Sequence, residues 1–352
     1  MLDNQSKIVQ LDSKNMRGSI ESLGKQIESV WKEAEQIKLP VSYKKVKNIV
    51  VLGMGGSALG SHVIQTLFRT NIKVPLEIIG HYHVPATVTR DTLVITSSYS
   101  GTTEEILSSA KEALKKKAKI IVLSSGGDLA VWAKKNKLPA LVFSTDNNPC
   151  GSPRMGQGYM IFGQVALFSR LGLIPKINLK KILETISRQQ LAFGLTVPTE
   201  KNQAKQFAQK LLGTSVWYVA SEHLSGNAHV AANQLNENAK RFGGYFIVPE
   251  MNHHLLEGML FPESNKNNLA FVLLESSLYD KRVQKRYEIT RSILEKNSIT
   301  QVSYMCLEKD LILQACELLV FTAYTSFYSA MLQGIDPTAI PFVDFFKEQL
   351  KK

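Results

Sequence analysis

The sequence predicts an α/β protein of two domains, each a mostly parallel sheet flanked by helices in an αβα sandwich. Three observations carry that expectation. The chain has 352 residues, beyond the roughly 250–300 at which a single hydrophobic core stops growing. Short β-branched runs alternate with helical spans, the pattern of right-handed βαβ units and hence of a parallel sheet covered on both faces. The alternation breaks at Gly172-Leu173-Ile174-Pro175-Lys176 and then restarts, dividing the chain into residues 1–172 and 173–352.

Taken in order, Ile20, Leu23, Ile27, Val30 and Trp31 recur at helical spacing, so a single helix is expected ahead of the first strand. Strands are expected over residues 48–53, 74–79, 92–97, 119–123 and 140–143. Helices over 57–68 and 103–116 connect them, and a long helix over 154–171 closes the first half. In the second half, helices over 179–193 and 201–212 precede strands over 215–220, 244–248, 269–274 and 300–305. A helix over 228–238 and a closing helix over 311–333 complete it. The two halves repeat one architecture although their sequences do not visibly repeat.

Composition narrows the class. Hydrophobic residues make up 44% and charged residues 20%, as in an ordinary globular enzyme. The first residues, Met1 to Lys7, have no apolar core behind a basic end, so no signal peptide is expected. The apolar stretch near the end is interrupted by Thr322, Thr325, Ser326 and Ser329 and flanked by Glu317, which fits a buried helix better than a membrane span. Cys150, Cys306 and Cys316 show no CxxC spacing, which argues for a reducing, cytoplasmic compartment and against a disulfide framework or zinc site. The net charge of +12 lies on lysines of solvent-type helices such as 111–117, without interleaved aromatics or a nucleic-acid motif. It reads as a basic solvated surface, with attraction of an anionic substrate as its functional use.

Two strand–turn–helix junctions carry the chemistry. Gly53-Met54-Gly55-Gly56-Ser57-Ala58 lies between the first strand and its helix, where glycines allow close backbone approach and free amides favour an anion. The spacing also satisfies G-x-G-x-x-A, but a dinucleotide fold wants an acidic residue ending the second strand. Here that strand ends Ile78-Ile79-Gly80 with Glu77 inside it. The third strand runs into Ser98-Tyr99-Ser100-Gly101-Thr102-Thr103-Glu104. One hydroxyl would serve as an ordinary N-cap. Four hydroxyls, at 98, 100, 102 and 103, beside helix-start amides suit the three oxygens of a phosphate monoester.

At these residues the chain resembles the sugar isomerase (SIS) domain, and more narrowly the bifunctional phosphoglucose/phosphomannose isomerase family. The resemblance runs from Leu11-Asp12 to Lys347. It includes Ser152-Pro153-Arg154, Gln234 to Lys240, Asn252-His253 and Gly334-Ile335-Asp336-Pro337-Thr338. It implies two SIS domains, a sugar 6-phosphate substrate and no cofactor or metal. Its phosphate anchors would be Gly55, Gly56, Ser57, Ser98, Ser100 and Thr103.

Aldose–ketose isomerisation needs a base for the proton between carbons 1 and 2, ring opening and stabilisation of an enediolate. Glu237, in the crowded polar cluster 233–240, is the candidate base; as a surface residue it would pair with Lys240 or Arg241 instead. Arg154 follows Pro153 at what reads as a helix start, where the dipole disfavours a cation, so its charge needs another reason. The resemblance implies that it faces the substrate and steadies the enediolate; otherwise it would cover the sheet edge with its stem. By resemblance His253 opens the sugar ring and reaches the site of the other subunit of a homodimer. The family's motif there commonly reads Asn-His-Asn-Glu, whereas this chain has His254 and Leu255, without the carboxylate. His254 beside His253 makes a metal pair conceivable, but no third ligand has suitable spacing. Lys347 matches a carboxyl-terminal lysine expected to point at the sugar, and would otherwise be a frayed surface lysine.

The expectation is a cofactor-free, dimeric, cytoplasmic isomerase of glucose, mannose and fructose 6-phosphates that binds neither nucleic acid nor membrane. Its rivals are a non-catalytic phosphosugar sensor and an SIS enzyme for another sugar phosphate. A sensor of this kind would carry a helix-turn-helix ahead of a single SIS domain.

Overall fold

The computed structural model describes residues 1–350. The chain opens on three short helices, α1 (Gln5–Leu11), α2 (Met16–Glu21) and α3 (Leu23–Gln36), where one was expected. Local polar groups make the break. The Asp12 carboxylate accepts from the amides of Met16 and Arg17 at 2.6 and 2.9 Å. Asn15, at φ +55, accepts from the Gly18 amide at 3.0 Å. Asparagine tolerates the left-handed conformation, and its side chain satisfies an amide that a continuous helix would have bonded itself.

The first sheet has strand order β2-β1-β3-β4-β5, all parallel. Its strands are β1 (Asn48–Gly53), β2 (Leu76–Ile79), β3 (Thr92–Ser97), β4 (Lys119–Ser124) and β5 (Ala140–Val142). The crossovers are α4 (Gly56–Leu67), α5 (Glu104–Lys115) and α6 (Gly127–Lys135), and α7 (Gln157–Leu171) follows β5. β1, β3 and β4 are buried almost end to end, as strands covered on both faces must be.

Helices α8 (Leu179–Phe193) and α9 (Gln203–Lys210) lead into the second parallel sheet, of order β7-β6-β8-β9. It comprises β6 (Ser215–Ser221), β7 (Gly243–Val248), β8 (Leu269–Glu275) and β9 (Thr300–Met305), connected through α10 (Ser225–Ala239), the short α11 (Asn265–Asn268) and α12 (Lys281–Lys296). α13 (Leu311–Gln333) and α14 (Pro341–Gln349) end the described chain. The order β2-β1-β3-β4 is thus repeated by β7-β6-β8-β9.

One apolar core joins the two halves through α4, α7, α10 and α13. α13 is long and apolar enough to cross a membrane, yet 83% of its most apolar window is buried within the protein. Buried Glu317 on it accepts from Tyr304 Oη at 2.8 Å and from the amides of Leu307 and Glu308. At the chain start, the fully buried Lys205 ammonium holds Asp3 at 2.8 Å and the carbonyls of Leu195 and Val197 at 3.0 and 2.8 Å. The amino-terminal segment is thereby fastened to the second half. All three cysteines are buried free thiols.

Candidate active site

The glycine turn places α4 against the backbone that precedes α7. A Cβ on Gly56 would lie 3.1 Å from the Arg154 nitrogen and 3.2 Å from the Pro153 carbonyl carbon, a contact that backbone cannot relieve. Gln157 Nε2 donates to the Gly56 carbonyl at 3.2 Å, closing the same contact. Ser57 then ties the two expected junctions together. Its Oγ accepts from the Tyr99 amide at 2.8 Å and its carbonyl accepts from Ser97 Oγ at 2.8 Å.

In the second turn, Gly101 adopts φ +72, and a Cβ there would come within 1.9 Å of the Gly126 carbonyl oxygen. Ser98 Oγ accepts from the Gly101 amide at 3.1 Å and lies 2.9 Å from Thr103 Oγ1, while the Ser100 and Thr102 hydroxyls are 3.0 Å apart. Thr103 occupies the N-cap position of α5 without using its side chain to cap it. The hydroxyls are therefore not consumed in capping the helix, and each retains acceptor or donor capacity for an anion. Below them the Tyr99 hydroxyl is pushed up to about 12 by burial, opposed by the hydrogen bond that Asn148 donates to it at 2.8 Å.

Arg154 departs from expectation in its local structure. α7 begins at Gln157, not at 154, and Arg154 sits in an isolated tight turn over Pro153–Met155. Its side chain does not run along the sheet edge. It is 1% exposed and crosses to the second half, where its cation is surrounded by acceptors. Nε donates to Asn238 Oδ1 at 2.6 Å, Nη1 to Glu237 Oε2 at 3.1 Å, and Nη2 to the carbonyls of Pro337 and Thr338 at 3.0 Å each. Four of the five guanidinium hydrogens are so engaged, leaving one on Nη1. Burial lowers its pKa, and the nearby Glu237 carboxylate opposes that shift.

Glu237 thus pairs with Arg154, not with Lys240 or Arg241, and its side chain keeps 32% exposure at the mouth of the site. The neighbouring Asn238 is fully buried, accepting from Arg154 and donating to Ser326 Oγ at 3.0 Å. Gln234 Nε2 donates to the Arg154 carbonyl at 3.2 Å, so successive turns of α10 hold both ends of the arginine. Lys240, just past α10 at φ +51, donates to the Asn238 and Asp336 carbonyls at 3.1 and 2.6 Å. Burial, with Arg154 close by, pulls its pKa down to about 8. Asp336 is pushed up by burial, but hydrogen bonds from Ser13 and the Thr338 amide outweigh this and hold it below the usual carboxylate range.

The structure brings Gly56, Arg154 and Glu237 together. It does not bring His253 or Lys347 to them. His253 lies exposed in the turn Glu250–His253 after β7, and Lys347 lies exposed on α14, none of whose residues is buried. His254 pairs with Glu250 at 2.9 Å, and Leu255, standing where the family commonly has a carboxylate, packs against the core. Among the described residues, no group of three or more His, Cys, Asp or Glu side chains forms a metal-binding set. Sequence reasoning missed Asn238, Gln157 and the 336–338 carbonyls as partners of the site. Asn238 stood only within the 233–240 polar cluster and the 336–338 segment only within the Gly334-Ile335-Asp336-Pro337-Thr338 motif, while Gln157 left no signal.

Two parallel αβα domains, the first with a hydroxyl-and-amide cradle at the carboxyl edge of its sheet, define a tandem SIS-domain protein. The SIS domain family matches residues 42–135, and the family described as the bacterial phospho-glucose isomerase C-terminal SIS domain matches residues 200–350. The chain is 29% identical to a bifunctional phosphoglucose/phosphomannose isomerase of Caldicellulosiruptor bescii, covering 94% of this chain and 98% of the relative. It is likewise 29% identical to one of Aquifex aeolicus, covering 95% and 99%. Its fold superposes on a hypothetical protein of Thermus thermophilus with a TM-score of 0.77 at 17% identity, over 99% of this chain and 93% of that one. The chain thus carries two SIS-type domains and is similar along nearly its whole length to bifunctional phosphoglucose/phosphomannose isomerases.

Proposed function

We propose that the protein interconverts glucose 6-phosphate and mannose 6-phosphate with fructose 6-phosphate through a cis-enediolate, with Glu237 as the base. The observation that carries this reading is the Arg154–Glu237 pair at 3.1 Å, built directly onto the Gly56 turn. The Gly55 and Gly56 backbone and the hydroxyls of Ser57, Ser98, Ser100 and Thr103 hold the phosphate. The sugar then extends towards Glu237. The carboxylate takes the proton from carbon 2 of the open aldose and returns it to carbon 1, while a proton moves from the carbon 2 hydroxyl to the carbon 1 oxygen. Redox change stays within the substrate, so no cofactor is required. Rotation about the bond between carbons 2 and 3 presents either face of the enediolate to the same base, which yields both epimers.

Arg154 aims the Glu237 carboxylate and turns its one remaining hydrogen to the enediolate oxygen. His253 and Lys347 open the ring. Their exposure within one chain, with Phe342, Phe345 and Phe346 of α14 open to solvent, favours a homodimer in which His253 completes the partner's site. Buried free thiols suit the reducing cytoplasm.

The test is incubation with fructose 6-phosphate in the absence of metal and nucleotide, followed by identification of the products. Glucose 6-phosphate and mannose 6-phosphate are expected. Glu237→Gln, which still accepts from Arg154, should lose about 10²–10⁴-fold in turnover. Undiminished turnover in Glu237→Gln would remove the glutamate from the mechanism.

A further inference from the structure

The second sheet repeats the order of the first, and so repeats its crevice. In each, the earliest strand (β1 or β6) sends its chain one way to β2 or β7 and then back across to β3 or β8. Ligands of open parallel sheets bind beyond the carboxyl ends of the strands at such a reversal. The backbone keeps the parallel in detail: Gly55, two residues after β1, has φ +48, and Glu222, one residue after β6, has φ +45.

The chemistry of the second crevice differs. The glycines are gone, and the Glu222 carboxylate accepts from the Asp280 amide at 3.0 Å, sitting where an anion would meet the start of α12. Charge enters instead from arginine side chains. Beside the β6–β8 reversal, a cleft of about 410 Å³ over the ends of β6 and β7 and the start of α12 is lined by Arg69, Arg282, Arg286, Ser221, Glu222 and Ser225, among others. Arg282 is held by Asp280 at 2.9 and 3.0 Å. Among the described residues, neither Arg69 nor Arg286 pairs with a carboxylate, although Arg286 is half-buried. Three arginines and the two carboxylates Glu222 and Asp280 line the cleft, an excess of one positive charge. Two of those arginines line the cleft from different domains, the exposed Arg69 two residues past α4 and Arg286 on α12.

We propose that this cleft is a second anion-binding site, taking a phosphate monoester on Arg69 and Arg286. Planar guanidinium groups match phosphate oxygens in pairs, and burying half of an unpaired one is repaid when the anion arrives. Glu222 lies beside the phosphate position, able to accept from hydroxyls of the ester's organic part. The occupant joins α12 of the second domain to the far end of α4, whose amino-terminal end forms the first-domain cradle. The site stands independently of the isomerase reading, because none of its residues belongs to that machinery.

Equilibrium dialysis of the full-length chain against radiolabelled inorganic phosphate at low ionic strength tests it. The wild type should bind two phosphates per chain. R69Q/R286Q should bind one, with the loss confined to one class of site, and S98A should weaken the other class. R286K keeps the charge without the planar fork, and should retain the site with affinity lowered several-fold. Circular dichroism of each variant checks that the fold is kept. One phosphate per chain in the wild type, weakened by S98A and untouched by R69Q/R286Q, would overturn the proposal while leaving the first-domain cradle intact. One phosphate abolished by R69Q/R286Q and indifferent to S98A would sustain it and remove the cradle.

Discussion

Arg154 and Glu237, 83 residues apart in sequence and from different domains, meet through a hydrogen bond of 3.1 Å that points the carboxylate from the second domain at the turn of the first. The arginine is fully buried and the glutamate only partly so. That asymmetry supports the roles proposed for them. A carboxylate with a wet face can exchange protons, whereas a buried cation with four occupied hydrogens serves chiefly to orient. Asn238, the residue after Glu237, takes Nε of the same guanidinium, so the helix turn carrying the proposed base is gripped at two consecutive positions.

Arg154 is therefore as much a structural residue as a candidate for the active site. Arg154→Met would leave Asn238 Oδ1 and the Pro337 and Thr338 carbonyls buried without their donor. Loss of one member of a buried charged network typically costs about 3–5 kcal/mol. Urea unfolding should show a decrease of that size, together with loss of turnover. Arg154→Lys supplies charge but cannot span four acceptors, and should recover only part of the stability. A decrease below about 1 kcal/mol in Arg154→Met would show that the 336–338 segment does not depend on the guanidinium.

Elements bounded by turn signals and buried throughout were legible in the sequence. β1, β3 and α13 begin and end where the patterns place them, because nearly uninterrupted burial leaves an uninterrupted apolar run, and α8 does so through one inward stripe, Ile182, Thr185, Ile186, Gln189 and Phe193. α12 escaped because only a thin stripe, Val283, Tyr287, Thr290 and Leu294, faces inward from a charged helix. α14 has no inward stripe at all. The start of α7 was misplaced because Pro153 is a helix-start signal that a short tight turn also uses. The hydroxyl-rich turns announced themselves by composition. The neighbours of Arg154 did not, since its acceptors lie 83 to 184 residues away and two of them are backbone carbonyls that any residue could supply.

Gly101 offers a test of the phosphate cradle through its backbone. Alanine there places a Cβ on the Gly126 carbonyl and occupies a left-handed conformation that costs about 1–3 kcal/mol. The Ser98–Tyr99–Ser100 turn must shift to relieve it. Thermal unfolding should fall, and KM for fructose 6-phosphate should rise more than kcat falls, since ground-state and transition-state binding of the phosphate are lost together. An unchanged KM with reduced kcat would place the phosphate elsewhere.

Lys240 gives the clamp a pH dependence. Its pKa is drawn from 10.5 down to about 8 in the folded chain, by burial first and Arg154 second. Between about pH 8 and 10.5 the unfolded chain therefore binds more protons than the folded one, and stability must rise with pH through that window on account of this group. Below pH 8 both states are protonated and the rise disappears. Lys240→Met should flatten this contribution, so that the wild type gains on the variant in melting temperature as pH increases from 8 to 10. Parallel melting curves for the two proteins across that range would show that the ammonium is not perturbed.

The placement of His253 makes a prediction about assembly that a single chain cannot satisfy. The histidine is exposed and makes no contact with Glu237, so ring opening by it requires the loop to be delivered by a second copy. His253→Ala and Glu237→Gln should each be inactive as homodimers with closed-ring substrate. When the two are unfolded together and refolded as an equal mixture, half the dimers contain one chain of each kind. In such a dimer one site pairs an intact Glu237 with the partner's intact His253, and the other site lacks both. About a quarter of wild-type turnover should therefore return. Supplying open-chain substrate should bypass the histidine and leave only the Glu237 defect. Failure of the mixture to recover activity, with dimers present by light scattering, would confine each site to one chain and require His253 to act without the partner.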